Sequence, residues 1–125
     1  MKLASIDVGL KRIGIAICLT SDIVTPQTAI LRKNRNQAAR DVNIFLKEWE
    51  IEKLIVGFPS ASEDTQNRIK HFIGLLELKI PFEFQEENMS SIEAEEMMKG
   101  EIKYKRDGRV DSLAAKIILE RFLAK

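Results

Sequence analysis

The sequence contains one cysteine, three prolines and few aromatic residues, and it has no long apolar run. A single cysteine, Cys18, excludes an internal disulfide, and its place in an apolar segment predicts a packed, inert thiol. No stretch approaches the ~20 apolar residues needed to cross a bilayer. Asp7, Lys11 and Arg12 interrupt the apolar N-terminal segment, so it does not fit a signal peptide. These absences predict a soluble, cytoplasmic protein.

The chain also lacks an excess of either charge, since 20 Lys and Arg residues balance 19 Asp and Glu residues. The net charge of +1 argues against a protein that coats nucleic acid, but it permits an enzyme with a local basic patch. The length of 125 residues suits one domain, and the hydrophobic content of 45% is enough for a packed core. With no repeat, low-complexity run or linker, we predict a single domain over residues 1–125.

Short apolar or alternating segments predict the strands of a sheet. They cover residues 2–8, 13–19, 23–31, 53–58 and 80–86. The last of these reads as half-buried, with Phe82 and Phe84 inside and Glu83 and Gln85 outside.

Helical spacing of apolar residues predicts the remaining elements. One helix runs through residues 38–49, with Asn34 or Asn36 as its cap and Trp49 in the core. Further helices follow at residues 69–76, 90–100 and from residue 110 onward. The order β-β-β-α-β-α-β-α-α indicates an α/β fold with a mixed five-stranded sheet and helices on both faces. That is the order of the ribonuclease H-like fold.

Asp7 lies among apolar residues near the end of the first predicted strand. An isolated charge in a buried strand costs several kcal/mol, so such a carboxylate usually has a partner or a function. In this sheet the first strand is central, and we expect the strand near residues 80–87 to lie beside it. Asp7 would then approach Glu86 or Glu87. The alternation of side chains along the strand does not decide which of the two it is. Asp111, in the first turn of the closing helix, is a third candidate carboxylate.

Carboxylates from three distant segments at one sheet edge suit Mg²⁺ or Mn²⁺, which prefer oxygen ligands. Two such ions about 4 Å apart activate a water and stabilise the leaving oxygen in phosphodiester hydrolysis. The competing interpretations are a structural carboxylate at Asp7, solvated glutamates in the segment 83–96, and an Asp111 that only favours a helix N-terminus. His71 has no second His or Cys nearby, so we predict a surface position for it.

Basic residues flank the candidate carboxylates in sequence. Lys11 and Arg12 fill the first turn, and a second basic group precedes the closing helix: Lys103, Lys105, Arg106 and Arg109. A cationic rim beside a carboxylate cluster suits contact with a phosphate backbone. A solvated, charged loop is the alternative for the second group.

Four segments together resemble the YqgF family, also called RuvX, of ribonuclease H-like nucleases. They are "IDVGLKRIGIAI" near the N-terminus, "LIVGFP" (54–59), "EENMSSIEA" (86–94) and "VDSLAAKIILE" (110–120). The resemblance spans nearly the whole chain in order and spacing. It implies that Asp7, Glu87 and Asp111 are metal-binding catalytic acids.

By the same resemblance, the expected activity is a metal-dependent endonuclease that processes the 5′ end of precursor 16S ribosomal RNA. The family is also linked to the resolution of four-way DNA junctions. Two departures bear on the substrate: Asn88 stands where the family has an arginine, and "SASEDTQ" replaces the usual loop after Pro59.

Three alternatives compete with an RNA-processing nuclease. A Holliday junction resolvase makes two symmetric cuts and should be a dimer, whereas the sequence leaves the choice of monomer or homodimer open. An Asp-x-Gly hairpin also opens the actin-like and sugar-kinase ATPases, but those have two such domains. A non-catalytic nucleic-acid-binding module would keep the fold and lose turnover.

Overall fold

The computed structural model describes residues 1–20, 23–86 and 112–124. The strands are β1 (Leu3–Val8), β2 (Arg12–Cys18), β3 (Thr25–Leu31), β4 (Lys53–Phe58) and β5 (Phe82–Glu86). The helices in these ranges are α1 (Arg35–Glu48), α2 (Glu63–Leu76) and α3 (Leu113–Leu123). The helix predicted over residues 90–100 lies outside the described residues. None of the described helices is long and apolar enough to cross a membrane.

The strands form one mixed sheet in the order β3-β2-β1-β4-β5. The pairs β1–β2 and β2–β3 are antiparallel, whereas β1–β4 and β4–β5 are parallel. The predicted mixed five-stranded sheet is therefore confirmed, but the expectation that the strand near residues 80–87 lies beside the first strand is wrong. β4 separates them because Leu54, Ile55 and Val56 are completely buried and need cover on both faces.

Helices cover both faces of the sheet, as predicted. The larger core lies under α1 and α2, where Ile6, Leu54 and Val56 of the sheet pack with Val42 and Phe72 of the helices. A smaller core lies under α3; it consists of Leu3, Cys18, Ile55, Ile118 and Leu119. Alternation along each strand thus sends neighbouring residues into two different cores.

The helix starts follow from side-chain caps. Asn34 Oδ1 accepts from the Gln37 N–H at 2.8 Å and Gln37 Oε1 accepts from the Asn34 N–H at 3.4 Å, which is a capping box. Asn34 rather than Asn36 is therefore the cap of α1. α2 begins before its apolar stripe because Ser62 Oγ accepts from the Thr65 N–H at 3.3 Å.

Two side chains depart from the predicted burial. Trp49 ends α1 as its C-cap and is 37% exposed, with its ring centroid 6.0 Å from that of Phe45, so its predicted core position is wrong. In β5 the expected pattern is reversed at two positions, since Phe82 is 43% exposed and Gln85 only 7%. The edge position of β5 leaves Phe82 beyond the larger core. Cys18 is buried and His71 is exposed, as predicted.

Candidate active site

Asp7 lies at the carboxyl end of the central strand and is partly exposed. It shares its face of the sheet with Ser5, two residues earlier, whose Oγ donates to the Ala115 carbonyl oxygen of α3 at 2.6 Å. The Asp7 carboxylate therefore belongs to the α3 face, next to the smaller core. This position explains why an apolar strand can contain a charge. Asp7 is near the end of the strand, and its side chain is on the face opposite the larger core.

The residues across from Asp7 on both neighbouring strands are glycines, which have no side chain. Gly14 of β2 is its direct partner in the antiparallel pair. On the other side, the β1–β4 register ends at Ile6–Val56, so Gly57 is the next residue across from Asp7. Both glycines are buried. The two positions directly across from Asp7 therefore place no side chain next to it.

Gln85 completes the same row of the sheet, since it pairs with Gly57. Among the described residues, its buried Oε1 accepts no hydrogen bond, and its Nε2 makes a long contact of 3.5 Å to the Glu86 carbonyl oxygen. A buried acceptor without a partner costs about 1–3 kcal/mol. The α3 face therefore carries a buried polar oxygen two strands away from Asp7.

Ser112 anchors the start of α3 beside this row. It is fully buried, and its Oγ accepts from the Ile15 N–H of β2 at 3.0 Å. The register of β3 against β2 shifts between Ile13 and Ile15, so the sheet is irregular at this point. Together with the Ser5–Ala115 bond, the Ser112 bond fixes the first turn of α3 next to Gly14.

The turn that follows Asp7 is held by Arg32, which follows β3. Arg32 Nη1 donates to the Gly9 carbonyl oxygen at 2.9 Å, and the Arg32 N–H donates to the Lys11 carbonyl oxygen at 2.9 Å. The Arg32 guanidinium also lies 5.7 Å from the centroid of the Phe72 ring in α2. At Gly9 a Cβ would lie 2.5 Å from the Arg12 carbonyl oxygen, so only glycine fits the turn.

Of the predicted site residues, Asp7 lies at the expected sheet edge. Lys11 is exposed in the turn that follows it, whereas Arg12, predicted to lie in that turn, is exposed at the first residue of β2. Glu86 is two residues after Phe84 and therefore shares its face of the sheet, toward the larger core. It faces away from Asp7. The remaining predicted residues lie outside the described residues: Glu87, Asp111, Lys103, Lys105, Arg106 and Arg109. Within the described ranges, no three His, Cys, Asp or Glu side chains come together as a metal site.

Sequence reasoning missed several residues that shape this region: Ser5, Arg32, Gln85 and Ser112. Ser5 could have been found as a polar residue in an otherwise apolar strand, because such a group needs a buried partner. Arg32 belongs to a segment, residues 23–40, that has four basic and no acidic residues. That local excess is hidden by the balanced charge of the whole chain.

The family model described as "RuvX: Holliday junction resolvase" matches residues 1–125. A protein of Sulfurovum sp. (strain NBC37-1) named "Putative pre-16S rRNA nuclease" is 65% identical over 127 residues, covering 99% of each chain. A protein of Sulfurimonas denitrificans with the same name is 52% identical over 126 residues, covering 98% of this chain and 97% of the relative.

The solved structure of the fowlpox virus Holliday junction resolvase superposes with a TM-score of 0.63, and the match covers 99% of each chain. Its sequence identity is 16%, so this likeness concerns the fold. It agrees with the ribonuclease H-like architecture expected from the element order. With the family model, the relatives and the fold in agreement, the chain belongs to the RuvX family and is a phosphodiester-hydrolysing endonuclease.

Proposed function

We propose that this endonuclease depends on Mg²⁺ or Mn²⁺ and processes the 5′ end of precursor 16S ribosomal RNA. The observation that carries the site is Asp7 at the carboxyl end of the central strand, between two glycines and beside the anchored start of α3. The names of the two relatives support the RNA substrate. Cellular processing of ribosomal RNA would place the protein in the cytoplasm.

The donor set fits a hard divalent cation. Asp7 offers a partly exposed carboxylate at the carboxyl end of the central strand. Mg²⁺ and Mn²⁺ favour carboxylate, carbonyl and water oxygens. We propose that Asp7, Glu87 and Asp111 hold the metal. When bound, the metal would lower the pKa of a water and stabilise charge on the leaving oxygen.

Asp111 is the residue directly before Ser112, which is why it fits this role. The Ser112–Ile15 bond fixes the chain one residue after Asp111 and one residue after Gly14, the partner of Asp7. A neighbouring residue is at most about 3.8 Å away along the chain. Asp111 itself is outside the described residues, and its convergence with Asp7 is our proposal.

We assign the second acid to Glu87 and not to Glu86. Phe58, the partner of Glu86 on β4, packs against the larger core, so Glu86 belongs to the face opposite Asp7. Alternation along a strand changes face with each residue. The residue after Glu86 is therefore the better candidate for the Asp7 face, in agreement with the family motif.

The chain's own residues would then orient the substrate and the carboxylates. Lys11 and Arg12, exposed beside Asp7, would contact backbone phosphates, as would the predicted group Lys103, Lys105, Arg106 and Arg109. Ser112 and Arg32 would act by position, since they hold the start of α3 and the turn after β1.

A four-way DNA junction is the second candidate substrate, because the matching family model is described as a Holliday junction resolvase. Such an enzyme places two active sites on one junction, which requires a dimer. A monomeric protein at the concentration of the cleavage assay would exclude this reading.

The decisive experiment compares the parent chain with Asp7→Asn in Mg²⁺ or Mn²⁺. Loss of a ligand should reduce cleavage by more than about a hundredfold, since changes in outer-shell residues alone cost 10–100-fold. The thermal melting of Asp7→Asn without metal should match the parent. Full activity in Asp7→Asn would exclude the proposed site.

Two substrates should be tested side by side: a 5′-extended 16S ribosomal RNA precursor and a four-way DNA junction. Asp7-dependent cutting of the RNA alone supports the processing nuclease, and paired symmetric cuts in the junction support the resolvase. Metal binding without turnover on either substrate would favour a binding module and would contradict our proposal.

A further inference from the structure

Two basic segments that are separate in sequence are neighbours beside the turn after Asp7. Lys11 lies in the turn between β1 and β2, and Arg32 and Lys33 follow β3. The Arg32 N–H bond to the Lys11 carbonyl oxygen, 2.9 Å long, makes these two segments neighbours. Arg35 begins α1 directly after the Asn34 cap. We call Lys11, Arg32, Lys33 and Arg35 the basic ridge.

Three members of the basic ridge are positioned for an external ligand. Lys11, Lys33 and Arg35 are exposed, and no ion pair joins them to a carboxylate in the part of the chain that is described. Arg32 is half-buried and holds the ridge to the turn through Gly9. The ridge therefore presents positive charge that no ion pair of the described residues neutralises, on a fixed backbone.

The ridge has a definite extent. At one end it reaches Gly9, two residues after Asp7, and at the other end Arg35 Nη1 lies 3.1 Å from His71 Nε2 of α2. The first turn of α2 carries Glu63 and Asp64, which limits the positive surface on that side. Asp7 belongs to the α3 face, whereas α1 covers the opposite face. The ridge thus extends from the turn after Asp7 to the start of α1, on the other face.

We propose that the basic ridge binds the phosphate backbone of the nucleic acid next to the cleaved bond. This inference rests on the proposed function and adds a contact surface to it, on the α1 side of Asp7. Exposed Lys and Arg side chains bind phosphates without reading the bases. The ridge is therefore expected to hold RNA and DNA by the same contacts and to leave substrate choice to other residues.

The test uses Lys33→Glu/Arg35→Glu in the full chain and measures binding without divalent metal, so that nothing is cut. The probes are a fluorescent RNA stem with a single-stranded 5′ extension and a four-way DNA junction. At about 0.1 M salt, loss of two phosphate contacts should weaken binding by about ten- to a hundredfold. The slope of log K against log salt concentration should fall in magnitude by about 2.

The matched control is Lys47→Glu/Lys79→Glu, which changes the net charge by the same amount. Both lysines are exposed, and Lys47 lies in the last turn of α1. It is about 18 Å along the helix from Arg35 at 1.5 Å per residue, well beyond the Debye length of about 10 Å at 0.1 M salt. We expect this variant to bind within about threefold of the parent, because charges beyond the Debye length are screened.

Misfolding is separated from loss of contact in two ways. Glutamate at Arg35 is compatible with the start of α1, because a negative side chain is favoured at a helix N-terminus. The neutral variant Lys33→Gln/Arg35→Gln should show a smaller loss of affinity than the charge reversal. Circular dichroism melting should remain close to that of the parent in all three variants.

The outcomes distinguish the ridge from the proposed function. Equal affinities of the ridge variant and the control, or no binding of either probe by the parent chain, would overturn the ridge. Weaker binding of the ridge variant together with a parent that cuts neither probe would support the ridge and contradict the proposed function. If the parent cuts a probe and the ridge variant binds as tightly as the parent, the proposed function is supported and the ridge is contradicted.

Discussion

The two faces of the sheet are built from different residues on the same strands. Toward α1 and α2, the strands send large apolar side chains that are completely buried, among them Ile6, Ile15 and Leu54. Toward α3, Leu3 and Ile55 form a smaller core, and the positions closer to Asp7 are small or polar: Ser5, Gly14 and Gly57. The first face stabilises the fold. The second allows α3 to approach the sheet closely and places no side chain directly across from Asp7.

This comparison predicts that equal truncations will have unequal consequences. Leu54→Ala on the larger-core face should lower the free energy of unfolding by about 2–5 kcal/mol, with unchanged cleavage by the molecules that remain folded. Leu119→Ala should cost less, because fewer buried residues surround it in the smaller core, but it should reduce cleavage by loosening α3. Urea unfolding and cleavage at low temperature measure the two effects. Loss of activity in both variants would break the comparison.

The Ser112 hydrogen bond, which anchors α3, is expected to contribute less to the free energy of unfolding than the buried leucines. Its loss should have a specific effect on metal binding. Ser112→Ala leaves the buried Ile15 N–H without its acceptor, which should cost about 1–3 kcal/mol. The affinity for Mn²⁺ should fall by about tenfold, as for other groups that orient metal ligands. The control is Ser62→Ala, which removes the cap of α2 and should destabilise by about 1 kcal/mol. Equal Mn²⁺ affinities in the two variants would show that Ser112 is structural only.

The smallest expected effect is a gain. Gln85→Leu replaces a buried oxygen that has no hydrogen-bond partner within the described ranges, and should raise the free energy of unfolding without metal by about 1 kcal/mol. Gln66→Leu is the matched control, because Gln66 Nε2 donates to the Pro59 carbonyl oxygen at 2.7 Å. That variant should be destabilised. A destabilised Gln85→Leu would mean that the α3 face does not sacrifice stability for polarity.

Much of the fold could be predicted from the sequence because it depends on local patterns. The apolar run 53–58 matches β4, and the spacing of Val42 and Leu46 indicated α1. The order of the strands was harder to predict. Which strands are neighbours depends on how both faces of the sheet are buried, and the local sequence pattern does not show this. Trp49 shows the same limit: its spacing fits the core, but it stands at the end of its helix, where cover is lost.

The candidate site was predictable only in part. Asp7 was found because a charge in an apolar strand is costly, and the segment around it resembles the family motif. The supporting bonds of Ser112 and Arg32 join segments far apart in the chain, so no local signal indicates them. The basic ridge was missed because its members come from two separate segments and only the folded backbone brings them together.

The hydrogen bonds that hold α3 have a consequence for folding. Ser5 and Ala115 are 110 residues apart in the chain, and Ile15 and Ser112 are 97 residues apart. Contacts of such long sequence separation carry the largest loop-closure entropy and contribute to slow folding. During synthesis, β1 is made long before its partner helix emerges from the ribosome. The proposed catalytic site can therefore form only after almost all of the described chain has been made, which delays nuclease activity until the fold is complete.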